Sequence, residues 1–384
     1  MLNPDNLSII LGYCTKIGKK RTVSKKFNTC IIDNVDFCYI IKSTSDILSI
    51  PKYITKLRFC YYFNEPVNNI PKSITHLEFG WDFNQSVNKL PNSVTHLIFG
   101  DCFDKSIDKL PNRITHLTFR NNFNKSVDNL PKNTTRLTFG ELFNQSIDKL
   151  PNNVTCLTLG KSFNQSVDKL PNSITHLRFG YYFNKSVDNL PKNITHLTFG
   201  DSFNRPVDNL PNSITHLTFG FLFNVPVNKW PNNMTHLSFD NRGMFNKPID
   251  NLPYGVTHLM FGCSFSKSVD KLPKSLVHLA FGHMFNQSVD NLPHGVIYLT
   301  FGNHFNQPVN NLPNSITHLT FGCWFNQSID NLPDSITHLT FGYGFNQPIN
   351  KLPKNITHLT FREEYKLENI INLPKSVKCL KISD

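Results

Sequence analysis

The 384-residue sequence contains no long apolar segment, and this absence excludes two classes of protein. No stretch approaches the roughly 20 apolar residues that a membrane-spanning helix needs. The first residues also lack the basic start and apolar centre of a secretory signal. We therefore expect a cytoplasmic protein that is neither secreted nor held in a membrane.

Paired cysteines are missing as well. The nine cysteines are an odd number, and they are scattered without any Cys-x-x-Cys spacing. This pattern favours neither a disulfide framework nor a thiolate metal site, and it fits a reducing compartment. We predict no cofactor and no bound metal.

Acidic residues are in the minority, with 27 against 39 basic residues and a formal net charge of +12. Such a balance permits a nucleic-acid partner. The lysines, however, recur singly at turn positions such as Lys89, Lys109 and Lys149. We interpret them as a solvated rim, which leaves nucleic acid as a minor alternative to a protein partner.

A 20-residue repeat is what the sequence has in abundance, and it runs from about residue 63 to about residue 362. Proline marks the period: it falls at every twentieth position from Pro51 to Pro231 and, after a slip of two residues, from Pro253 to Pro353. A period this short is the signature of a solenoid, in which each repeat forms one coil and packs only against its neighbours. We assign the solenoid to residues 46–384, with about 15 regular coils over 63–362 and atypical coils at each end, and we expect a monomer.

Each coil has the spacing of a leucine-rich repeat, with apolar residues at the first, fourth and sixth positions of the run Ile74–Gly80. We predict that this run is a strand, with Leu77 and Phe79 in the core and His76 and Glu78 on the opposite, concave face. The strands then form one long curved parallel β-sheet. The rest of the coil is too short for an amphipathic helix, so we expect turns and extended chain on the convex face and little helix except at the N-terminus.

An asparagine follows the first phenylalanine in thirteen of fifteen coils, as Asn64 and Asn84 do. We interpret this column as a ladder of buried amides that hydrogen-bond the backbone of adjacent coils.

A histidine recurs on the concave side of the strand, and we predict that its rings stack at the strand spacing of roughly 4.7 to 4.9 Å. A straight column does not supply the convergent ligands of a metal site. It also brings no nucleophile to a unique histidine, so we do not expect an enzyme. Protonation would place like charges side by side, and we expect the array to lose stability below about pH 6. The column comprises His76, His96, His116, His176, His196, His216, His236, His258, His278, His318, His338 and His358.

Coil-to-coil variation is concentrated in the two residues after the glycine and in the strand position beside the histidine. Many of these residues are aromatic, which is costly on a surface without a partner, so we predict that they bind a protein target on the concave face. The predicted residues are Tyr61, Tyr62, Glu78, Trp81, Asp82, Arg178, Tyr181, Tyr182, Phe221, Leu222, His304, Trp324 and Tyr343.

Two segments depart from the regular coil. The stretch Asp240–Met244 contains two extra residues, and we expect a bulge or kink in the sheet there. The last unit replaces Gly-x-x-Phe with Arg362-Glu-Glu-Tyr365, and we interpret it as a C-terminal cap over the final core layer.

The recurring string Phe-Asn-x-Ser/Pro-Val/Ile-Asp/Asn-x-Leu-Pro resembles the FNIP repeat, a relative of the leucine-rich repeat. This repeat is expanded in slime moulds and in giant viruses that infect amoebae, and a viral chain would act in the host cytoplasm. The resemblance covers most of the chain and implies a protein-interaction domain.

Residues 1–45 resemble a reduced F-box, with one similarity around Asn3-Pro4-Asp5 and another in Val23-Ser-Lys-Lys-Phe27. The resemblance implies an adaptor that docks a SKP1-like linker and recruits substrates to an SCF-type ubiquitin ligase. A stand-alone binding scaffold, in which this segment only caps the solenoid, is the alternative. The implied linker contacts are Pro4, Leu7, Ile10, Leu11, Val23 and Phe27.

Overall fold

The computed structural model describes residues 38–362 and 373–383, and the structural statements below concern these residues. The predicted linker contacts, from Pro4 to Phe27, lie outside them. The F-box interpretation of residues 1–45 therefore stays a prediction.

The described residues form a solenoid of eighteen short strands with one short helix, α1 (Thr44–Leu48). Every strand pairs in parallel with the next one in the chain, and equivalent residues face each other, as Leu77 and Leu97 do. The predicted parallel solenoid is confirmed. The sheet already begins with β1, inside the segment 1–45. The strands are β1 Tyr39–Ile41, β2 Lys56–Phe59, β3 His76–Glu78, β4 His96–Ile98, β5 His116–Thr118, β6 Arg136–Thr138, β7 Cys156–Thr158, β8 His176–Arg178, β9 His196–Thr198, β10 His216–Phe219, β11 His236–Phe239, β12 His258–Met260, β13 His278–Ala280, β14 Tyr298–Thr300, β15 His318–Thr320, β16 His338–Thr340, β17 His358–Arg362 and β18 Cys379–Ser383.

The strands are shorter than the predicted run Ile74–Gly80, and β3 keeps only its three central residues. The N–H of Ile74 is used in a turn, where it donates to the carbonyl oxygen of Pro71 at 3.1 Å. The ladder therefore starts after Ile74, with the N–H groups of Thr75 and His76 both donating to the carbonyl oxygen of Thr55.

Two phenylalanines per coil build the core. Phe79 and Phe83 are buried, and their rings stack with centroids 3.8 Å apart. Phe83 in turn stacks on Phe103 of the next coil at 6.2 Å. The result is a continuous column of rings along the solenoid. The phenylalanine rings of one coil are therefore buried only when the neighbouring coils are present.

The spacing of equivalent rings shows that the sheet is curved. Between the coils of β3 and β4, the His76 and His96 centroids are 4.1 Å apart. The buried pair Phe79 and Phe99 is separated by 5.7 Å. Because successive coils approach each other at the histidines and diverge in the core, the histidine side of the sheet is concave, as predicted.

The asparagine ladder is confirmed, although its side chains are half-buried or exposed rather than buried. The backbone N–H of Asn84 donates to the Asn64 Oδ1 of the preceding coil at 2.9 Å. Asp104 takes the same role, since its Oδ1 accepts the N–H of Asn124 at 3.0 Å. The ladder thus needs a side-chain acceptor and tolerates a carboxylate.

The two extra residues near Asp240 do not produce the predicted bulge or kink in strand pairing. β11 and β12 stay in register, with Leu237 opposite Leu259. The core also continues, because Phe239 and Phe245 stack at 4.2 Å. The turn absorbs the insertion instead: the N–H of Gly243 donates to the carbonyl oxygen of Asp240 at 2.7 Å.

The two ends of the described solenoid differ. At the first, Ile41 of β1 and Ile47 of α1 are both buried. At the last, Leu380 and Ile382 face the core residues Leu359 and Phe361 of β17, yet each is 42% exposed. The predicted C-terminal cap begins at Arg362 and continues through residues 363–372, which lie outside the described residues, so it stays a prediction.

Candidate interaction surface

The concave face carries three parallel columns of residues. From β2 onwards, each strand places its first residue, usually histidine, and its third residue, usually threonine, away from the core. A glycine column follows, and the variable residues come directly after it. Because each column repeats the same residue type in successive coils, a different residue in one coil changes the concave surface at one defined place.

The histidine rings stack as predicted, with a closer spacing than the strand repeat because the face is concave. The His96 and His116 centroids lie 4.1 Å apart, and those of His196 and His216 lie 4.3 Å apart. Tyr298 continues the column by stacking on its neighbour in the preceding coil at 4.3 Å.

A threonine hydroxyl orients most of these rings. Thr75 Oγ1 lies 2.9 Å from His76 Nδ1 and 3.3 Å from the carbonyl oxygen of Thr55. A carbonyl only accepts, so when the hydroxyl donates to it, the imidazole Nδ1–H donates to the hydroxyl. The Nε2 atom is then left as an acceptor. His278 is an exception, since Val277 supplies no hydroxyl.

The stacked environment lowers the pKa of several histidines. Partial burial, with a smaller contribution from neighbouring imidazoles, lowers the pKa of His96 and of His236 to about 4. The pKa shifts of His116, His196 and His258 have the same direction, also chiefly because burial disfavours the cation. These five histidines are therefore neutral at physiological pH. In the described ranges, no three His, Cys, Asp or Glu side chains are grouped so that they could hold a metal ion.

An aromatic cluster lies at the N-terminal end of the concave face. Tyr61 stacks on Trp81 at 5.5 Å, and both side chains are exposed. Beside them Glu78 pairs with Arg58 at 3.5 Å and with Arg120 at 3.2 Å. These five residues line a cavity of about 270 Å³. Partial desolvation, with the nearby Asp82 charge, raises the pKa of the Tyr61 hydroxyl.

A larger cavity of about 500 Å³ lies in the middle of the described solenoid. Arg178 and Tyr181 line it together with Lys161, whose ammonium group lies 5.9 Å from the centre of the Tyr181 ring. Arg178 is exposed and forms no ion pair with any described residue. Here the structure brings predicted residues from a strand and from a turn onto one surface.

The other predicted residues do not join these two cavities into one site. Trp324 is 60% exposed and stacks on His304 at 3.9 Å, far along the chain from either cavity. Phe221 lies under Arg242, and Tyr343 under Arg362. The remaining predicted residues are each the second residue after the glycine position of their coil, and they line neither cavity. They are Tyr62, Asp82, Tyr182 and Leu222.

Sequence reasoning missed three charged residues that shape the cavities: Arg58, Arg120 and Lys161. Arg120 did carry a signal, because it replaces glycine in an otherwise regular column. Lys161 was visible only as one variable residue among many. That it lines the same cavity as Arg178 depends on how the strand and the turn fold together.

Comparison with known proteins assigns the repeat. The profile of the FNIP repeat matches in ten segments, some of which overlap, over residues 46–80, 66–102, 103–142, 143–182, 163–188, 183–222, 245–284, 285–324, 325–352 and 345–384. The chain belongs to the FNIP repeat family. The matches cover far more than half of the sequence and begin after β1. The FNIP coils described above are thus the structural form of this repeat in the chain.

Solved structures that resemble the FNIP solenoid include the following two. One is described as "CroV588 a novel circular LRR protein structure"; it is 38% identical, with a TM-score of 0.73 over 90% of this chain. The chain spans 64% of the length of that protein. The other is YopM from Yersinia enterocolitica WA-314, with 14% identity, a TM-score of 0.48 and 99% coverage of both chains. A search of curated proteins gave no match. No helix in residues 38–362 or 373–383 is long and apolar enough to cross a membrane.

Proposed function

We propose that this FNIP-repeat protein is a non-enzymatic, cytoplasmic adaptor that holds a protein target on its concave face. In the proposal, residues 1–45 dock a SKP1-like linker, and the solenoid presents the target to an SCF-type ubiquitin ligase. The observation that carries the binding role is the exposure of large aromatic side chains on a face that is otherwise uniform.

The aromatic residues support a protein target because their exposure is unusual and grouped. Tyr61, Trp81 and Tyr181 are between 41% and 51% exposed, while the phenylalanines of the same coils are buried. Exposed Trp and Tyr with nearby Arg are the residue types that dominate binding energy in protein interfaces. Free thiols at Cys60, Cys102 and Cys156 fit the reducing cytoplasm.

A stand-alone scaffold is the second candidate, and one observation favours it. β1 lies within residues 1–45, pairs with β2 and buries Ile41 in the core. At least this end of the N-terminal segment is built into the solenoid, as a cap would be. In this candidate the target is bound without a ubiquitin-ligase linker.

Affinity purification with three variants of the full chain tests both candidates. We expect a SKP1-like protein to co-purify with the natural chain and to be lost with Leu7→Glu/Leu11→Glu. Retention of targets without any SKP1-like partner would instead establish the stand-alone scaffold.

Tyr61→Ala/Trp81→Ala should release the target and keep the linker. Tyr254→Ala is the matched control, because Tyr254 is 74% exposed but lies beside the repeat proline, away from the concave columns. If Tyr254→Ala released the same proteins as Tyr61→Ala/Trp81→Ala, the concave face would not be the binding surface.

A further inference from the structure

Two interruptions of the glycine column enclose the larger cavity. Five consecutive coils carry Gly140, Gly160, Gly180, Gly200 and Gly220, and all five line it. Arg120 replaces glycine on one side of this run and Asp240 on the other. We call the enclosed depression the glycine groove. It extends across four strand spacings of roughly 4.8 Å each, or about 19 Å.

The floor of the glycine groove is bare for a steric reason. A Cβ atom at Gly180 would overlap the carbonyl oxygen of Gly160 in the preceding coil. Backbone is therefore accessible between two walls. Thr158 and Thr198 belong to the strand wall, and Glu141 and Lys161 belong to the turn wall.

The charges at both ends of the groove are already paired. Arg120 contacts Glu78 at 3.2 Å and Asp101 at 3.6 Å. At the other end Arg242 contacts Asp201 at 3.6 Å and Asp240 at 3.4 Å.

The centre of the groove is different. Arg178 and Lys161 form no ion pair with the described residues, and Arg178 is the only long side chain among the strand threonines from Thr118 to Thr218. The middle of the groove thus presents two cations that lack anionic partners on the described surface.

A second run of five glycines shows that the coil itself does not require these cations. Gly262 to Gly342 are likewise enclosed by Asp240 and Arg362. At the positions of Lys161, Arg178 and Tyr181, two successive coils of that run have Asn303, Thr320 and Cys323. The same backbone therefore carries a cationic centre in one run and a neutral one in the other.

We propose that the glycine groove binds an extended peptide segment of the protein target that carries one acidic side chain, with its carboxylate between Arg178 and Lys161. An extended chain rises roughly 3.3 Å per residue, so about six residues fill the groove. Tyr181 supplies an exposed ring for an apolar neighbour of that carboxylate. This inference rests on the proposed binding function and adds the chemistry of the ligand.

Charge placement favours a peptide over a nucleic acid. A nucleic-acid strand brings a phosphate with every nucleotide, and those beyond the centre would approach Glu141 or the acidic end at Asp201 and Asp240. A peptide can place a single carboxylate at the centre and neutral or basic residues on either side. The groove therefore matches an isolated acidic side chain better than a continuous polyanion.

Fluorescence anisotropy with labelled hexapeptides tests the inference on the full chain. The probes are a hexapeptide with phenylalanine and glutamate at its centre, the same peptide with glutamine, and a six-nucleotide RNA. We expect the glutamate peptide to bind about tenfold more tightly than the glutamine peptide, because the carboxylate forms charge-assisted hydrogen bonds. Equal binding of the two peptides, or preferred binding of the RNA, would overturn the proposal.

Arg178→Thr/Lys161→Asn should remove this preference and leave the fold intact. Threonine is the residue at the equivalent positions Thr158 and Thr198, and asparagine occurs at the position of Lys161 in other coils. Arg113→Ser/Lys132→Asn is the charge-matched control, because it also removes two positive charges. Both residues are exposed on the turn after the repeat proline, where other coils have serine or asparagine at the same positions. A similar loss of binding with Arg113→Ser/Lys132→Asn would mean that net charge alone attracts the peptide.

A gain-of-binding variant makes the test independent of folding failure. Asn303→Lys/Thr320→Arg/Cys323→Tyr transfers the three residues to the second glycine run, and we expect a second binding site and doubled stoichiometry. An unchanged stoichiometry would contradict the proposal. Capture of the protein target in the affinity purification is a separate measurement. If Arg178→Thr/Lys161→Asn loses the peptide but still captures the target, the target does not bind in the glycine groove. The proposed scaffold function would then still stand.

Discussion

Single asparagine side chains tie each coil of the solenoid to the next. Asn144 Oδ1 accepts the backbone N–H of Asn164 at 2.9 Å and the Nε2–H of Gln165 at 3.1 Å. Asn144→Ala removes both bonds and leaves a half-buried N–H without its acceptor. We expect a loss of about 1–3 kcal/mol in the free energy of unfolding, measured by chemical denaturation.

Asn144→Asp is the control for this substitution, because Asp104 already serves in the ladder with its Oδ1 as the acceptor. It should cost much less than Asn144→Ala. If both variants lost equal stability, the amide would act through packing rather than through its acceptor oxygen.

The ladder also marks how far single residues could be predicted from the sequence. A polar residue that always follows a buried phenylalanine needs hydrogen-bond partners, and this requirement predicts its backbone bonds. Its degree of burial did not follow, because that depends on how closely the turns of neighbouring coils approach. Arg178 was likewise predicted as a surface residue, whereas its position in one cavity with Lys161 depends on the folded turn.

At the scale of one element, the histidine column gives the concave face a defined response to pH. The unfolded imidazole has a pKa of roughly 6.5, whereas His96 and His236 have a pKa of about 4 in the folded chain. Between these values the unfolded chain binds protons that the folded chain does not. The neutral histidines therefore make their full contribution to the stability of the folded chain above about pH 6.5, and this contribution is lost as the pH falls towards 4.

We expect the melting temperature of the protein to decrease steadily between pH 7 and pH 4.5. The aspartates contribute little in this range, since hydrogen bonds hold the pKa of Asp108 and Asp270 below the ordinary value. Glu65, whose pKa is also lowered by hydrogen bonds, contributes only near the acidic end of the range. The triple variant His216→Tyr/His236→Tyr/His258→Tyr should flatten the curve, because Tyr298 shows that tyrosine fits the column. A melting temperature that is constant over this range would refute the role of the histidines.

The insertion near Asp240 shows why one prediction about an element was wrong. Sequence alone gives the number of extra residues but not where they are accommodated. Strand pairing and the phenylalanine column hold both sides of the insertion in register, so the turn, which has fewer packing constraints, takes up the extra length. Packing between coils therefore decides where the two extra residues are accommodated, and this packing cannot be deduced from the local sequence.

For the whole molecule, the period of 20 residues was sufficient to predict the parallel sheet and its buried face. Each coil repeats the same apolar positions, so only a stack of coils can bury them. The two cavities could not be predicted in the same way. They arise where Arg120, Arg178 or Asp240 breaks a column, and their chemistry depends on residues from two or three coils together.

Cooperativity along the stack is the property of the whole molecule most open to test. Phe203 is fully buried and stacks on Phe199 at 3.8 Å and on Phe223 at 6.1 Å. Phe203→Ala should cost about 3–5 kcal/mol through the cavity it leaves. Because coils contact only their neighbours, this weak point in the middle of the array should uncouple the two halves.

We expect Phe203→Ala to unfold in two separate transitions in chemical denaturation, where the natural chain unfolds in one. Phe199→Leu is the control, since Leu159 occupies the equivalent position in another coil and is buried there. It should lower stability slightly and keep a single transition. A single shifted transition for Phe203→Ala would mean that coupling between coils exceeds the energy of one phenylalanine layer, and the solenoid would then behave as one cooperative unit.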